Sequence, residues 1–249
     1  LRQKWGVDVE TRATTDIVTH WHSTFLKKAT NTMVSFSRSG NSPESLGSII
    51  LADQFCEKMN HIIVTCNKEG RLAKMTNEKQ NALPLILSEE TNDKGLAMTC
   101  SFTTMLMTAQ FLACINELDK YEQIVKDLSK AATRLLDDYS DIVKEISETG
   151  FNRAVFLGSG CLHGCAVESS LKLQEMTAGR AICKADTFMG VRHGPMASID
   201  DRTVVVYFLS TDPFVRKYEL DLMKEIDMKG IGIKKIVVCN RIDSEIERY

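Results

Sequence analysis

The sequence has no excess of either charge. Lysine and arginine together number 31 and aspartate and glutamate 33, so the formal net charge of the 249 residues is -2. Proteins that bind nucleic acid or anionic lipid usually carry a marked basic surface. This balance gives no electrostatic footprint for nucleic acid or for a membrane surface, and any anionic ligand has to be bound by a local arrangement of groups.

Long apolar runs and paired cysteine motifs are also missing. The longest apolar stretch is 204–209, whereas a membrane-spanning helix needs about 20 apolar residues. No charged-then-apolar leader opens the chain. The eight cysteines show no metal-type spacing, and the nearest pair, Cys161 and Cys165, lies among small residues where thiols pack as minor hydrophobes. We expect a protein of the reducing cytoplasm with no membrane segment.

Short β-branched runs alternate with longer helical patterns along the whole chain. This alternation is typical of βαβ units and predicts an α/β fold with mostly parallel sheets. Strands are predicted at 32–37, 61–66, 82–87, 153–157, 181–184, 203–210 and 235–239. Helices are predicted at 43–58, 70–77, about 98–118, 164–177 and 214–229.

The segment 121–148 contains neither glycine nor proline and places apolar residues at helical intervals, which predicts one or two connecting helices. The sequence thus divides into a first domain at 1–119, connecting helices at 120–150 and a second domain at 151–249. Residues 4–16 have the pattern of a second strand with nothing before it, and the chain closes directly after its last predicted strand. We therefore expect a chain that is truncated at both ends.

The strongest local motif is "SFSRSGNSPES" at 35–45. A hydrophobic strand runs into a loop that contains Ser37, Ser39, Gly40, Asn41 and Ser42, and a proline then occupies the favoured first position of a helix. Hydroxyl donors, a glycine that allows close approach and the positive end of a helix dipole together suit a phosphate monoester. The alternative is that Ser42 simply caps the helix.

A second motif is the helix "AVESSLKLQEMTA" at 166–178. Glu168, Lys172 and Glu175 are four and three residues apart, so they share one face within a sector of about 60°. Apolar neighbours border that face, and partial burial beside a cation is the setting expected of a proton-transferring carboxylate. The alternative is a Glu-Lys-Glu ion-pair ladder on the surface, which spacing by itself favours.

A third motif is "MGVRHGPMASID" at 189–200, in which His193 lies in a loop stiffened by Gly194 and Pro195. Such a position suits a general acid or base, although loop histidines are commonly surface residues. The remaining histidines, at 20, 22, 61 and 163, give no metal-ligand spacing with it, so no metal site is predicted. The turn Gly158-Ser159-Gly160 lacks the other features of a dinucleotide fingerprint and indicates a tight strand-to-helix connection beside a small sugar.

Taken together, these motifs resemble those of the sugar isomerase (SIS) domain family, and more narrowly its tagatose-6-phosphate ketose/aldose isomerase or galactosamine-6-phosphate deaminase branch. The resemblance covers nearly the whole chain and rests on "SFSRSGNSPES", "NDKGLAMTCSFTTML", "ESSLKLQEMTAGRA" and "GVRHGPMASIDDRT". It implies two flavodoxin-like three-layer α/β/α domains with parallel sheets. It also implies a homodimer or higher homo-oligomer with active sites near the subunit boundary.

The resemblance also implies roles for individual residues. Glu175 matches the base that forms the enediol, and His193 matches the histidine that opens the sugar ring, in related isomerases from the neighbouring subunit. The substrate-binding residues would be Ser37, Arg38, Ser39, Gly40, Asn41, Ser42, Met98, Thr99, Glu168 and Lys172. No cofactor is expected. The implied activity is aldose-ketose isomerisation, or deamination, of a hexose or amino-hexose 6-phosphate.

Two other functions fit parts of the sequence. A non-catalytic SIS sensor would bind a sugar phosphate and regulate a partner, and the presence of both Glu175 and His193 argues against it. A scaffolding α/β protein would use the serine loop only as a helix cap. Titration with phosphate separates the scaffold from the other two.

Overall fold

The computed structural model describes residues 1–242, 244, 246 and 247, and the chain divides into two compact units, Leu1–Asp127 and Leu128–Tyr249. Short β-branched strands and amphipathic helices alternate in both units, and the strands within each described sheet run parallel. The α/β class with parallel sheets is therefore confirmed. The predicted domain boundaries and the flavodoxin-like three-layer architecture of two complete domains stay predictions.

The first unit is built on a three-stranded parallel sheet with strand order β1-β2-β3. Its helices and strands are α1 (Arg2–Trp5), α2 (Thr14–Thr24), β1 (Thr30–Ser37), α3 (Pro43–Phe55), β2 (Lys58–Thr65), α4 (Arg71–Asn77), β3 (Ala82–Ile86) and α5 (Cys100–Ala113). One face of the sheet packs on α3 and α4, where Ile49, Ile63 and Leu72 are fully buried. The sheet thereby fixes the loop that follows β1 at its carboxyl edge.

A single long helix, α6 (Leu118–Ser147), occupies the segment for which one or two helices were predicted. It begins in the first unit and ends in the second. No helix in the described part of the chain is both long and apolar enough to cross a membrane.

The second unit contains a four-stranded parallel sheet with strand order β5-β4-β6-β7. Its elements are β4 (Arg153–Gly158), α7 (Cys161–Met176), β5 (Ile182–Asp186), α8 (Phe188–Val191), β6 (Thr203–Phe208), α9 (Pro213–Met228) and β7 (Lys234–Val238). Leu157, Val205 and Tyr207 share a buried cluster with residues of α9 on one face. Phe156 and Val206 share a cluster with Ala166 of α7 on the other. Because alternate strand residues face opposite sides, α7 and α9 cover opposite faces of this sheet.

The predicted strand at 4–16 is wrong. The structure has α1 and the start of α2 there, with no regular secondary structure at 6–13. Gly6 adopts a left-handed conformation with φ 64° and ends α1 by donating its N–H to the Arg2 carbonyl. Val7 and Val9 are exposed, so these two apolar side chains of the segment bury no face against a sheet. The expectation for the carboxyl end falls partly on 243, 245, 248 and 249, which lie outside the described residues.

Cys161 and Cys165, the cysteine pair that the sequence places among small residues, do not pack into the core. Cys161 and Cys165 are exposed, although burial of the Cys165 thiol is the main cause that raises its pKa. They lie one turn apart on α7, on a different face from Ala166 and Leu173, which pack against the sheet. Small neighbours allowed packing, but the direction of the helix face decided exposure.

Candidate functional site

The serine loop joins the end of β1 to the start of α3. Pro43 is the first residue of α3, and Ser42 occupies the N-cap position with extended backbone, φ -60° and ψ 129°. Gly40 has a φ of 63°, which L side chains rarely adopt, and a Cβ there would lie 3.2 Å from Thr65 Oγ1. Glycine is therefore required by the conformation of the loop.

Groups at the end of β2, in the β2–α4 connection and at the start of α4 hold this loop. Asn67 donates from Nδ2 to the Ser39 carbonyl at 2.9 Å, and the Arg71 amide donates to Asn41 Oδ1 at 3.0 Å. The Thr65 hydroxyl donates to the Arg38 carbonyl at 3.2 Å. The loop is fixed by long-range contacts and is held in place before any ligand binds.

The hydroxyl of Ser42 is left available by this arrangement. Among the residues that the structure describes, no backbone N–H of α3 donates to the Ser42 side chain, so the capping alternative lacks its defining bond. The Ser39 Oγ accepts a long bond, 3.3 Å, from the Asn41 amide, and its own proton remains to donate. Both hydroxyls can therefore donate to an anion at the positive end of α3.

Arg38 makes contacts that the sequence did not predict. Its Nη1 donates to Asn92 Oδ1 at 3.0 Å and to the Asp93 carbonyl at 2.8 Å. The guanidinium thus fastens the serine loop to the segment that leads to Met98 and Thr99. The predicted contact of Arg38 with substrate stays a prediction, whereas its contact with this segment is visible.

Asp93 fixes the start of α5. Its Oδ2 accepts from the Ser101 amide at 2.8 Å and from the Ser101 hydroxyl at 2.7 Å, and its Oδ1 accepts from the Cys100 amide at 3.2 Å. These bonds, led by the one from the Ser101 hydroxyl, lower the pKa of Asp93 from 3.8 to about 2. Met98, half-buried, and Thr99, exposed, lie directly before the helix. Sequence reasoning missed Asp93 because six residues separate the carboxylate from the first of the amides that it caps.

In the second unit, α7 brings the three predicted charged residues together. Lys172 Nζ lies 2.8 Å from Glu175 Oε2 and 3.3 Å from Glu168 Oε1. All three side chains are partly buried, with 23% to 32% of each exposed. The hydrogen bond with Glu175 is the main cause that raises the pKa of Lys172.

The bordering apolar residues of α7 do not shield this stripe. Val167 and Leu171 are each nearly half exposed in the chain. The ion-pair ladder that was the alternative interpretation is therefore present. It does not exclude a catalytic role, because a carboxylate held by Lys172 is also a positioned carboxylate, and the role of Glu175 stays a prediction.

His193 lies in the turn between α8 and a short 3₁₀ helix, Pro195–Ser198. Its amide donates to the Gly190 carbonyl at 3.0 Å, its side chain is exposed, and Gly194 has a φ of 121°. Arg192 is paired with Asp221 and Glu225 of α9. The imidazole is thus presented to solvent from a turn of constrained backbone.

The turn Gly158-Ser159-Gly160 is as tight as predicted. A Cβ at Gly158 would lie 2.3 Å from the Leu162 carbonyl oxygen, and Gly160 has a φ of 56° at the N-cap of α7. An open cleft of about 560 Å³ lies in this unit between β4 and β5, where Arg153 and Ile182 line it, and the segment that follows His193, where Gly194 and Pro195 line it.

The predicted site residues therefore form two groups. The serine loop, Arg38, Met98 and Thr99 lie in the first unit, and the α7 stripe and His193 lie in the second. No three His, Cys, Asp or Glu side chains within the described ranges are placed to hold a metal ion.

The fold of this chain is similar to that of phosphosugar isomerases of known structure. The crystal structure of tagatose-6-phosphate ketose/aldose isomerase from Escherichia coli superposes with a TM-score of 0.93 at 33% identity, covering 98% of this chain and 66% of that one. No protein-family model matches the chain.

Curated relatives narrow the resemblance. The chain is 37% identical to D-galactosamine-6-phosphate deaminase AgaS of Escherichia coli, over 96% of this chain and 62% of the relative. It is 35% identical to the protein of the same name from Shewanella sp. (strain ANA-3), over 94% of this chain and 59% of the relative. The chain thus spans about three fifths of the length of these relatives. The predicted resemblance to the SIS proteins and to this branch is confirmed.

Proposed function

We propose that the protein is a phosphosugar aldose-ketose isomerase or deaminase that acts on a hexose or amino-hexose 6-phosphate. The observation that carries the proposal is the serine loop, in which Ser39 and Ser42 keep hydroxyl protons to donate at the amino end of α3. The similarity to relatives named for galactosamine 6-phosphate and tagatose 6-phosphate gives the substrate class.

In this proposal Ser37, Ser39 and Ser42 bind the phosphate, and Gly40 and Asn41 shape the loop around it. Met98 and Thr99 lie beside the sugar. Because Asn67 and Arg71 already hold the loop, little ordering is needed on binding. The 6-phosphate then serves as the anchor that places C1 and C2 of the sugar.

His193 opens the ring by moving a proton between the ring oxygen and the C1 hydroxyl. Glu175 removes the proton from C2 and returns it to C1 on the same face of the enediol. One carboxylate can reach both carbons because they are neighbours. Lys172 holds the Glu175 carboxylate, Glu168 pairs with Lys172, and both Glu168 and Lys172 contact the sugar. If C2 carries an amine, the product is a ketimine, and water adds at C2 to release ammonia and leave a ketose phosphate.

We also propose the finer features that the sequence predicted. These are a first domain at 1–119, connecting helices at 120–150, a second domain at 151–249 and a homodimer or higher homo-oligomer in which His193 acts on the partner's substrate. A reducing compartment such as the cytoplasm fits the eight free thiols.

The test is to give the intact protein galactosamine 6-phosphate and tagatose 6-phosphate separately, and to assay ammonia and sugar interconversion. Release of ammonia from the amino sugar indicates the deaminase, and interconversion without an amine indicates the isomerase. Tight binding of both sugars without turnover of either contradicts the enzyme and favours the sensor. No binding of either contradicts both.

A further inference from the structure

We propose that Arg192 is a positioning residue for His193, because its guanidinium holds the turn that carries the imidazole against α9. The inference rests on the proposed role of His193 in ring opening. Arg192 acts through His193 and does not itself contact the sugar.

The histidine ring cannot be oriented by its own contacts. The His193 side chain is exposed, and no described side chain or backbone group forms a hydrogen bond with its ring. Its position is therefore set by the backbone of the turn. A displacement of about 1 Å in a catalytic group is enough to slow a reaction about a hundredfold.

The backbone of this turn is constrained on both sides of the histidine. The His193 amide donates to the Gly190 carbonyl at 3.0 Å, and the Gly190 amide in turn donates to Thr187 Oγ1 at 2.9 Å. On the other side, Gly194 adopts a φ of 121°, and Pro195 fixes the next residue. These contacts shape the turn, but none of them attaches it to α9.

Arg192 supplies that attachment. Its Nε donates to Glu225 Oε2 at 2.9 Å, and its Nη2 donates to Asp221 Oδ2 at 2.8 Å. Asp221 and Glu225 are one turn apart on α9, so the two bonds fix the planar guanidinium in direction as well as in place. The Arg192 side chain is 22% exposed, which reduces screening by solvent.

A second cation completes the anchor. Lys229 Nζ lies 2.7 Å from Glu225 Oε1, so the carboxylate that Arg192 binds is itself held from the other side. Asp221, Glu225 and Lys229 all belong to α9 or follow it directly, and that helix packs on the sheet through Leu222 and Ile226. The turn that carries His193 is thereby attached to a helix that packs on a buried core cluster of the second unit.

The test compares Arg192→Gln with the double variant Asp221→Asn/Glu225→Gln in the intact protein. Both should lower kcat on a ring-forming hexose 6-phosphate about ten- to a hundredfold with little change in KM, because the imidazole is misplaced while the phosphate anchor is intact. Arg192→Lys should recover part of the rate, since a lysine keeps the charge but not the fork. Lys235→Gln, which removes another cation paired with α9, is the matched control and should match wild type.

A substrate that cannot close a ring isolates the step. A 4,5-dideoxy hexose 6-phosphate lacks the hydroxyls that form furanose and pyranose rings, so it needs no ring opening. Arg192→Gln should exchange the C2 hydrogen of this analogue with deuterated water at the wild-type rate. An equal loss on both substrates, or a loss in KM alone, overturns the positioning role in favour of direct contact with substrate.

Hydrogen exchange measures the anchor without any turnover. The His193 amide should exchange at least tenfold faster in Arg192→Gln and in the double variant than in wild type or Lys235→Gln. Unchanged exchange and unchanged kcat in the double variant overturn the proposal even if Arg192→Gln itself fails to fold. Wild-type protein that turns over no hexose 6-phosphate contradicts the proposed function instead, and with it the catalytic role of the anchor.

Discussion

The guanidinium of Arg38 donates a hydrogen bond of 2.8 Å to the carbonyl oxygen of Asp93, 55 positions further along the chain. A second bond, of 3.0 Å, goes to Asn92 Oδ1. Arg38 lies within the serine loop, and Asp93 begins the segment that leads to Met98 and Thr99. The two parts of the first unit that are proposed to meet the phosphate and the sugar are therefore joined directly.

Arg38→Gln should loosen this connection. Loss of two bonds from a charged donor, each contributing about 1 to 3 kcal/mol, should lower the free energy of unfolding and raise the amide exchange of Cys100 and Ser101. Chemical denaturation with hydrogen exchange measures both effects. Arg71→Gln, at an exposed side chain on the same unit, is the control. Equal behaviour of the two variants would show that the Arg38 contacts contribute no stability.

The lowered pKa of Asp93 predicts that the stability of the protein depends on pH in the acid range. Its pKa is lowered to about 2, so the bonds to Ser101 and Cys100 stabilise the native state fully above pH about 4 and are lost as the pH falls through about 2. As the pH is lowered from about 4 to about 2, the unfolding midpoint of wild type should decrease more steeply than that of Asp93→Asn. Parallel curves for the two proteins would show that Asp93 does not contribute to the pH dependence of stability.

Ser42→Ala distinguishes a serine that binds phosphate from a serine that caps α3. Removing a capping side chain costs about 1 kcal/mol of stability, but Ser42 makes no such bond with the described residues, so the change should be well below that. Asp212→Ala is the matched control, because Asp212 does cap α9 by accepting from the Phe214 amide at 2.8 Å. Thermal unfolding of the two variants should differ accordingly.

The double variant Ser39→Ala/Ser42→Ala should weaken binding of a hexose 6-phosphate while the fold survives. Each hydrogen bond to the charged phosphate contributes about 1.5 to 3 kcal/mol, so the combined loss should reach several kcal/mol at most. Isothermal titration calorimetry measures it. Unchanged affinity would place the phosphate at another site.

Glu175→Gln should abolish turnover and leave binding largely intact. Glutamine keeps the shape of the side chain but cannot accept the C2 proton, and loss of a general base typically slows a reaction about a hundred- to ten-thousandfold. Exchange of the C2 hydrogen with deuterated water, followed by NMR, isolates that step. Glu168→Gln is the comparison variant, because it removes the other carboxylate that pairs with Lys172, and that carboxylate is also the second candidate for the base. Equal exchange in wild type and Glu175→Gln would move the base elsewhere, with Glu168 the first to examine.

Local sequence pattern predicted the elements that depend on neighbours along the chain. The apolar run before Ser37 and the proline after Ser42 placed the end of β1 and the start of α3 within a residue or two. The spacing of Glu168, Lys172 and Glu175 placed all three on one face of α7, since helical periodicity fixes the relation of residues three and four apart. Local pattern failed at 4–16, where a strand was predicted and residues 6–13 form no regular secondary structure.

The tertiary structure alone decided which groups are occupied and which are free. Arg38 turns to Asp93, and Arg192 turns to Asp221 and Glu225, because strands and helices that are distant in sequence pack side by side. The hydroxyl of Ser42 is left without a capping bond among the described residues for the same reason, since long-range contacts hold the loop. The sequence by itself determined the residue types, their order and their spacing on each element. The contacts between elements depend on packing in three dimensions, which no local pattern encodes.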